Sequence, residues 1–126
     1  MNWPTDRRLP GVDDNLDPFL AARQRAASFQ AALDPRRSKI LGQFFTGLEL
    51  ARLLAALSIT PECETLLDPM AGHGDLLDAA LERSAMSGSK LTRVAAIEID
   101  PDTASMCNSR LEPWREREIG LELTVF

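Results

Sequence analysis

Short apolar segments alternate with longer helical ones in the second half of the chain, and this alternation constrains the fold more than any other feature. Apolar segments occur at 65–67, 93–99 and 121–126, and helical segments at 75–86 and 101–112 separate them. Strands that alternate with helices form right-handed βαβ units with parallel pairing. We therefore predict an α/β fold with a parallel sheet. The uninterrupted apolar run at 93–99 is typical of a strand whose sheet has both faces covered by helices.

Ahead of this region, the chain divides into a lead-in and a first helix. Residues 1–16 are rich in Pro, Asp and Gly without periodicity, which predicts a flexible lead-in, whereas residues 17–126 are predicted to belong to one domain. Asp17 and Pro18 are typical of an N-cap followed by the first helical position. Apolar residues at helical spacing continue to Leu33, so this helix is expected to be amphipathic and to pack on a larger body.

A second helix is predicted at 48–57, directly before the first strand. Thr46 and Glu49 have the spacing of a capping box, in which a hydroxyl and a carboxylate each accept a hydrogen bond from a free backbone amide. Leucines line one face of this helix: Leu50, Leu53, Leu54 and Leu57.

Composition excludes several functional classes. A net charge of −5 argues against this chain alone binding a polyanion, and the basic run 36–39 is more typical of a solvated helix end than of a phosphate contact. The sequence contains no apolar run of the roughly 18 residues that span a bilayer, and its start lacks a secretory apolar region. Cys63 and Cys107 lack the spacing of a disulfide framework or a zinc site, which favours a reducing cytoplasm.

The turn after the first strand carries the first indication of a ligand. Ligands of open α/β sheets bind at the carboxyl ends of the strands, and Gly72 and Gly74 would give a ligand close access to the backbone there. A dinucleotide fingerprint requires a small residue where this chain has Leu77. Two acids, Asp68 at the strand tip and Asp75 at the helix start, favour a ligand with a cationic group and without phosphate.

A second acid-bearing position follows the second strand. Glu98 is 24 residues beyond Gly74, close to the spacing at which an acid accepts the ribose hydroxyls of a nucleotide. Asp100, before Pro101, is better explained as the N-cap of the next helix.

These motifs together resemble the N-terminal half of adenine-N6 DNA methyltransferases. The resemblance rests on the segments 42–46, 67–74 and 96–101, whose sequences are GQFFT, LDPMAGHG and AIEIDP, and covers roughly residues 40–112. The glycine turn alone occurs in many class I methyltransferases, so Gln43 to Thr46 carry the more specific indication. Gly47 departs from the family pattern, which usually has proline there.

The resemblance implies a Rossmann-like class I methyltransferase fold, here a partial parallel sheet with N-terminal helices. It implies S-adenosyl-L-methionine (SAM) as the cofactor and a cytoplasmic enzyme of DNA methylation and restriction-modification. The residues implied to contact SAM are Phe45, Thr46, Asp68, Pro69, Ala71, Gly72, Gly74, Glu98 and Ile99. His73, between the two loop glycines, is predicted to be a tolerated loop residue, and Trp114 to belong to the core.

The catalytic motif of that family, a Pro-Pro-aromatic sequence after a polar residue, is missing. The sequence contains no Pro-Pro pair, so no catalytic residue is assigned, and we expect the motif and the DNA-reading region to lie beyond this sequence. The chain alone is predicted to be inactive, with DNA, a complementing methyltransferase subunit or a restriction component as partners. Alternatives are an RNA or protein methyltransferase of the same fold and a non-catalytic partner subunit.

Overall fold

The structure of the chain, a computed structural model, describes residues 17–89 and 91–126. Within these ranges the secondary structure is α/β, as predicted. The helices are α1 (Pro18–Ala32), α2 (Pro35–Ile40), α3 (Leu48–Ser58), α4 (Asp75–Ser87) and α5 (Pro101–Arg117), and the strands are β1 (Thr65–Asp68), β2 (Arg93–Ala96) and β3 (Glu122–Val125). The predicted lead-in at 1–16, including Trp3, lies outside the described residues.

The strands form a parallel sheet in the order β1-β2-β3. Leu66 of β1 is in register with Val94 of β2, which is in register with Leu123 of β3. This order places β2 in the centre and leaves β1 and β3 at the two edges of the described sheet. Because both pairings are parallel, the carboxyl ends of the three strands lie at the same end of the sheet. The glycine turn follows β1 at that end.

Among residues 17–89 and 91–126, helices cover only one face of this sheet. Alternate positions in the strands, such as Val94 and Ala96, are buried, and they pack in a core with Leu77, Leu111 and Trp114. The intervening positions point to the opposite face, where Arg93 and Glu122 form an exposed ion pair. The expectation of helices on both faces is therefore wrong for the described residues. The apolar run also pairs over fewer residues than predicted, because β2 ends at Ala96.

Local capping signals place the ends of two helices as predicted. The Asp17 carboxylate accepts hydrogen bonds from the amides of Phe19 and Leu20 at the start of α1. At the start of α5, Asp100 accepts bonds from both the amide and the hydroxyl of Thr103.

The end of α5 does not follow the prediction. Pro113 lies inside the helix, which continues to Arg117. Proline lacks the amide that would bond the preceding turn, yet Trp114 directly after it is fully buried and packs edge-to-face on Phe19 at a ring distance of 4.6 Å. We infer that this packing holds the helix together across the missing hydrogen bond. The prediction that Trp114 belongs to the core is confirmed.

The environment of α3 differs from the prediction in two respects. Gly47, not Thr46, is the N-cap, and no side chain in the described part of the chain caps this helix. Small residues, Ala51 and Ala55, face α4, whereas the predicted leucine face (Leu50, Leu53, Leu54 and Leu57) is exposed. Ahead of α3, the basic run lies in the short helix α2, which Asp34 caps and which the sequence analysis did not predict.

None of the helices in residues 17–89 and 91–126 is long and apolar enough to span a membrane.

Candidate functional site

The glycine turn lies between the carboxyl end of β1 and the N-terminus of α4, and backbone hydrogen bonds fix its path. The Ala71 amide donates to the Ile97 carbonyl at 2.9 Å, which ties the turn to the end of β2. Gly72 and Gly74 have positive φ angles of 56° and 95°. A side chain would be strained at either position, so both glycines are required by the backbone itself.

Asp68, at the tip of β1, carries the least satisfied polar atom of the turn. Its Oδ1 accepts a hydrogen bond from the Met70 amide at 3.1 Å. Its Oδ2 is buried and has no hydrogen-bond partner among the described residues. Burial raises the pKa of this carboxyl above its usual value, the Met70 amide opposes the rise, and the charge of Glu98 adds to it. A buried carboxylate oxygen without a donor is costly, so Asp68 is the group that gains most from a bound cation or donor.

Glu98 lies after β2 and connects the two ends of the site. Its Oε2 accepts a hydrogen bond from the Gly72 amide, and its Oε1 accepts one from the Asp100 amide, both at 2.9 Å. The side chain is therefore not a free strand-end acid. Each carboxylate oxygen can accept a second hydrogen bond, and both remain capable of binding hydroxyl groups.

Phe45 and His73 join the segment before α3 to the turn. Their rings stack at a centroid distance of 4.4 Å with an interplanar angle of 7°. The Phe45 ring also limits space at Gly72, where an added Cβ would lie 3.3 Å from it. Phe45 therefore touches the turn through His73 and the Gly72 backbone, and its predicted contact with SAM stays a prediction.

His73 has a structural role that the sequence analysis missed. Arg110 can only donate, so the 3.0 Å contact from its Nη1 makes His73 Nδ1 an acceptor. The ring proton then lies on Nε2, which donates to the Gln30 side chain at 2.8 Å. Burial lowers the pKa of His73. The negative charge of Asp75 raises this pKa, whereas the positive charge of Arg110 lowers it further. His73 is thus a neutral connector between α1, α5 and the turn, and the prediction of a tolerated loop residue is wrong.

Asp75, the first residue of α4, has both carboxylate oxygens engaged. Oδ2 accepts a hydrogen bond from the Gly47 amide at 2.9 Å, and Oδ1 accepts one from Arg110 at 2.7 Å. Because Arg110 balances its charge, Asp75 does not contribute the unpaired negative charge on which the sequence argument relied. The acidic character of the site rests on Asp68 and Glu98.

A buried network of ion pairs supports the turn from below. Its cations come from α1, α3 and α5 and its anions from α4, and the members are Arg23, Arg52, Arg110, Asp75, Asp78 and Glu82. Asp78 is at its centre, since it accepts bonds from Arg23, Arg110 and the Trp114 indole.

Cys107 lies close to the turn as well, and burial raises the pKa of its thiol to about 12. The thiol therefore stays protonated at neutral pH, and Cys107 acts as a packing residue.

The remaining predicted residues lie around a shallow recess. Phe45, Thr46, Ala71 and Gly72 line it, and its volume is about 20 Å³, which is enough for about one water molecule. Ile99 is exposed beyond Glu98. The structure thus brings the glycine turn, Glu98 and the segment before α3 into contact but does not enclose a volume the size of a nucleotide.

Pro69 differs from the other predicted residues in its position. With Asp68 it borders a separate and larger groove of about 360 Å³ along the outer edge of β1. Asp68 therefore lies between this groove and the glycine turn.

Comparison with known families gives no match to any family model. No curated protein matches the sequence significantly. Sequence reasoning missed Gln30 and Arg110, for which no local signal exists, because both act through partners distant in the sequence.

Proposed function

We propose that residues 17–126 form the SAM-binding part of a DNA adenine-N6 methyltransferase. The observation that carries this proposal is the pair of carboxylates beside the glycine turn. Asp68 has a buried oxygen without a hydrogen-bond partner among residues 17–89 and 91–126, and Glu98 binds the Gly72 amide while it retains acceptor capacity. Both lie at the carboxyl ends of parallel strands, where ligands of open α/β sheets bind.

The charge of the site favours SAM over a dinucleotide. SAM has a cationic ammonium and a sulfonium and no phosphate, so its ammonium would compensate the buried charge of Asp68. A pyrophosphate would be repelled by the same carboxylates. Leu77 occupies the place of the third fingerprint glycine and is almost fully buried, which further disfavours a dinucleotide.

Each part of the site has a distinct role in this proposal. Asp68 binds the ammonium, the free acceptor positions of Glu98 bind the ribose hydroxyls, and the exposed Ile99 lies against the adenine. The glycine turn provides close backbone approach. Bound SAM supplies a methyl group activated by its sulfonium, and the residues present here bind and orient it.

The assignment to DNA adenine methylation depends on the segment before α3. The Gln43 side chain donates to the Thr103 hydroxyl at 3.0 Å, which connects this segment to the start of α5. Phe45 contacts the turn through His73. Both contacts support the proposal that this segment belongs to the cofactor site. In this proposal, the catalytic motif that binds the acceptor adenine of the DNA lies outside this sequence. DNA and a complementing subunit remain proposed partners.

Calorimetric titration of the chain with SAM tests the cofactor assignment. We expect saturable binding that Asp68→Asn weakens by more than tenfold, because the ammonium loses its counter-charge (about 1.4 kcal/mol or more). Asp102→Asn is the matched control, since this exposed acid lies at the same end of the sheet without contacting the turn. Equal affinities in all three proteins would refute the assigned role of Asp68.

A second candidate function, a non-catalytic subunit without cofactor, is favoured by the small size of the recess, about 20 Å³. In that case the ion network and the His73 contacts have only a structural role. This candidate predicts no SAM binding by the folded chain, either alone or with a complementing subunit.

A further inference from the structure

Polar contacts, more than apolar packing, attach α2 and the four residues after it to the rest of the described chain. No residue of α2 is buried, and Leu41 and Phe44 are exposed. The side chains of Arg37 and Gln43 instead reach the first turn of α5, where they contact residues 63 and 60 positions further along the chain. These two contacts therefore decide where the segment lies.

A Schellman turn fixes Gln43 relative to α2. The Gln43 amide donates to the Ser38 carbonyl at 2.8 Å, and the Gly42 amide donates to the Lys39 carbonyl at 3.3 Å, which is the bonding pattern of this motif. Gly42 occupies its left-handed position with a φ of 64°. Arg37 and Gln43 therefore belong to one short unit, and we call these two residues the α2 clamp.

Both residues of the α2 clamp act on the carboxylate of Asp100, whose side chain is 2% exposed. Arg37 donates directly to Oδ1. The Thr103 hydroxyl donates to Oδ2 at 2.6 Å and accepts a hydrogen bond from the Gln43 side chain at 3.0 Å. A hydroxyl has one proton and two lone pairs, so it can make both contacts at once. Gln43 thus acts on Asp100 through Thr103.

The backbone of Asp100 in turn holds Glu98. The Asp100 amide donates to Glu98 Oε1, and the Gly72 amide donates to Oε2, both at 2.9 Å. Because each oxygen is fixed by one amide, the remaining acceptor positions of Glu98 point in directions that these two backbone segments determine. A shift of Asp100 would turn the carboxylate about its contact with Gly72.

We propose that Arg37 and Gln43 are positioning residues for Glu98, and that this positioning gives the site its preference for a ligand with two neighbouring hydroxyl groups. Neither residue of the α2 clamp contacts the ligand; both act through Asp100. The preference rests on the proposed function, in which the two hydroxyls are those of the SAM ribose. The positioning of Glu98 does not depend on that function.

Calorimetric titration of the full chain with SAM and with its 2′,3′-dideoxy analogue tests the preference. The two ligands differ only in the hydroxyls that would bond to the charged Glu98, so the wild type should bind SAM at least about tenfold more tightly. Arg37→Gln and Gln43→Leu should each weaken SAM severalfold and leave the affinity for the analogue nearly unchanged. A preference that stays as large as in the wild type, or an equal loss for both ligands, would overturn the proposal.

Arg36→Gln is the matched control for these titrations. It removes the same charge from the neighbouring exposed position of α2, and it should leave both affinities at their wild-type values. If it reduced the preference as much as Arg37→Gln does, net charge and not the contact with Asp100 would be the cause, and the positioning role of Arg37 would be refuted.

Hydrogen exchange in the free chain tests the positioning without any ligand. The Asp100 amide, which bonds to Glu98, should exchange severalfold faster in Arg37→Gln and Gln43→Leu than in the wild type. The amide of Val94 in the central strand is the internal reference and should keep its rate. An unchanged rate at Asp100, or an equal acceleration at Val94, would refute the positioning, since the second result would mean a general loss of stability.

The two experiments separate this proposal from the proposed function. If the wild type binds neither ligand, the SAM assignment and the preference both fail, and the exchange rate of the Asp100 amide alone decides whether the α2 clamp positions Glu98. If the wild type binds SAM with the expected preference and both clamp variants retain it, the SAM assignment stands and the role of the α2 clamp is refuted.

Discussion

Replacement of Asp78 by alanine is the most severe test of the buried ion network. Asp78 is 2% exposed and accepts bonds from Arg23 at 2.8 and 3.0 Å, from Arg110 at 3.1 Å and from the Trp114 indole at 2.9 Å. Its removal leaves the buried Arg110 guanidinium, the largely buried Arg23 guanidinium and the indole N–H of Trp114 without this acceptor. Removal of one partner from a buried ion pair costs about 3–5 kcal/mol.

Remaining partners limit the loss to the lower part of that range. Arg23 keeps Glu82 at 3.3 Å, and Arg110 keeps Asp75 at 2.7 Å. We therefore expect Asp78→Ala to lower the free energy of unfolding by about 3 kcal/mol, a large part of the roughly 5–15 kcal/mol typical of a domain.

Urea unfolding measures this difference if the slope with denaturant stays constant. Asp102→Ala is the control, because its exposed contact with Arg37 at 3.4 Å should contribute less than about 1 kcal/mol. A loss below about 1 kcal/mol in Asp78→Ala, with unchanged slope, would refute the view that the network stabilises α1 and α5 against α4.

Other residues of the turn give further predictions. Because the folded state lowers the His73 pKa, the unfolded chain binds more protons, and the free energy of unfolding should fall as the pH drops below about 6.5. Urea titrations between pH 7.5 and 5.5 should show this slope in the wild type and a smaller one in His73→Gln; equal slopes would exclude His73 as the cause. Gly74→Ala combines a φ of 95° with an added Cβ only 3.2 Å from Cys107 Sγ and should lower the melting temperature more than Gly120→Ala. Gly120 has a φ of 88°, and an added Cβ there would meet open space, so Gly120→Ala should cost only the backbone strain of about 1–2 kcal/mol. Equal losses in the two variants would show that the Cys107 contact is unimportant.

Features set by neighbouring residues could be predicted from the sequence. The caps at Asp17 and Asp100 depend on side chains two or three positions from the amides they bind. The alternation of strands and helices likewise reflects local periodicity. For these reasons the bounds of α1, β1 and β3 agree with the predictions to within one or two residues.

Features set by tertiary packing could not be predicted in the same way. Pro113 ends a helix by local rules, but the buried Trp114 holds α5 intact beyond it. The spacing of the leucines in α3 predicts an apolar face, but it is Ala51 and Ala55 that allow a close approach to α4 and occupy that interface. Local sequence does not determine which of two apolar faces a helix buries.

The candidate site shows the same division. The glycine turn and Glu98 were predicted because their spacing follows from the βαβ unit. His73 was misjudged because its partners, Gln30 and Arg110, are 43 and 37 residues away. Asp75 was misjudged for the same reason, since nothing nearby in the sequence indicates that Arg110 neutralises it.

The central claim, that SAM binds at the glycine turn, is tested most directly by nuclear magnetic resonance. An ¹⁵N-labelled chain is titrated with SAM, and the amide shifts are followed residue by residue. We predict saturable shifts at the amides of Gly72 and Asp100, which donate to Glu98, and none at Ile119, which precedes β3 at the amino end of the strands. An absence of shifts in the folded chain, or shifts confined to residues away from the turn, would contradict the account.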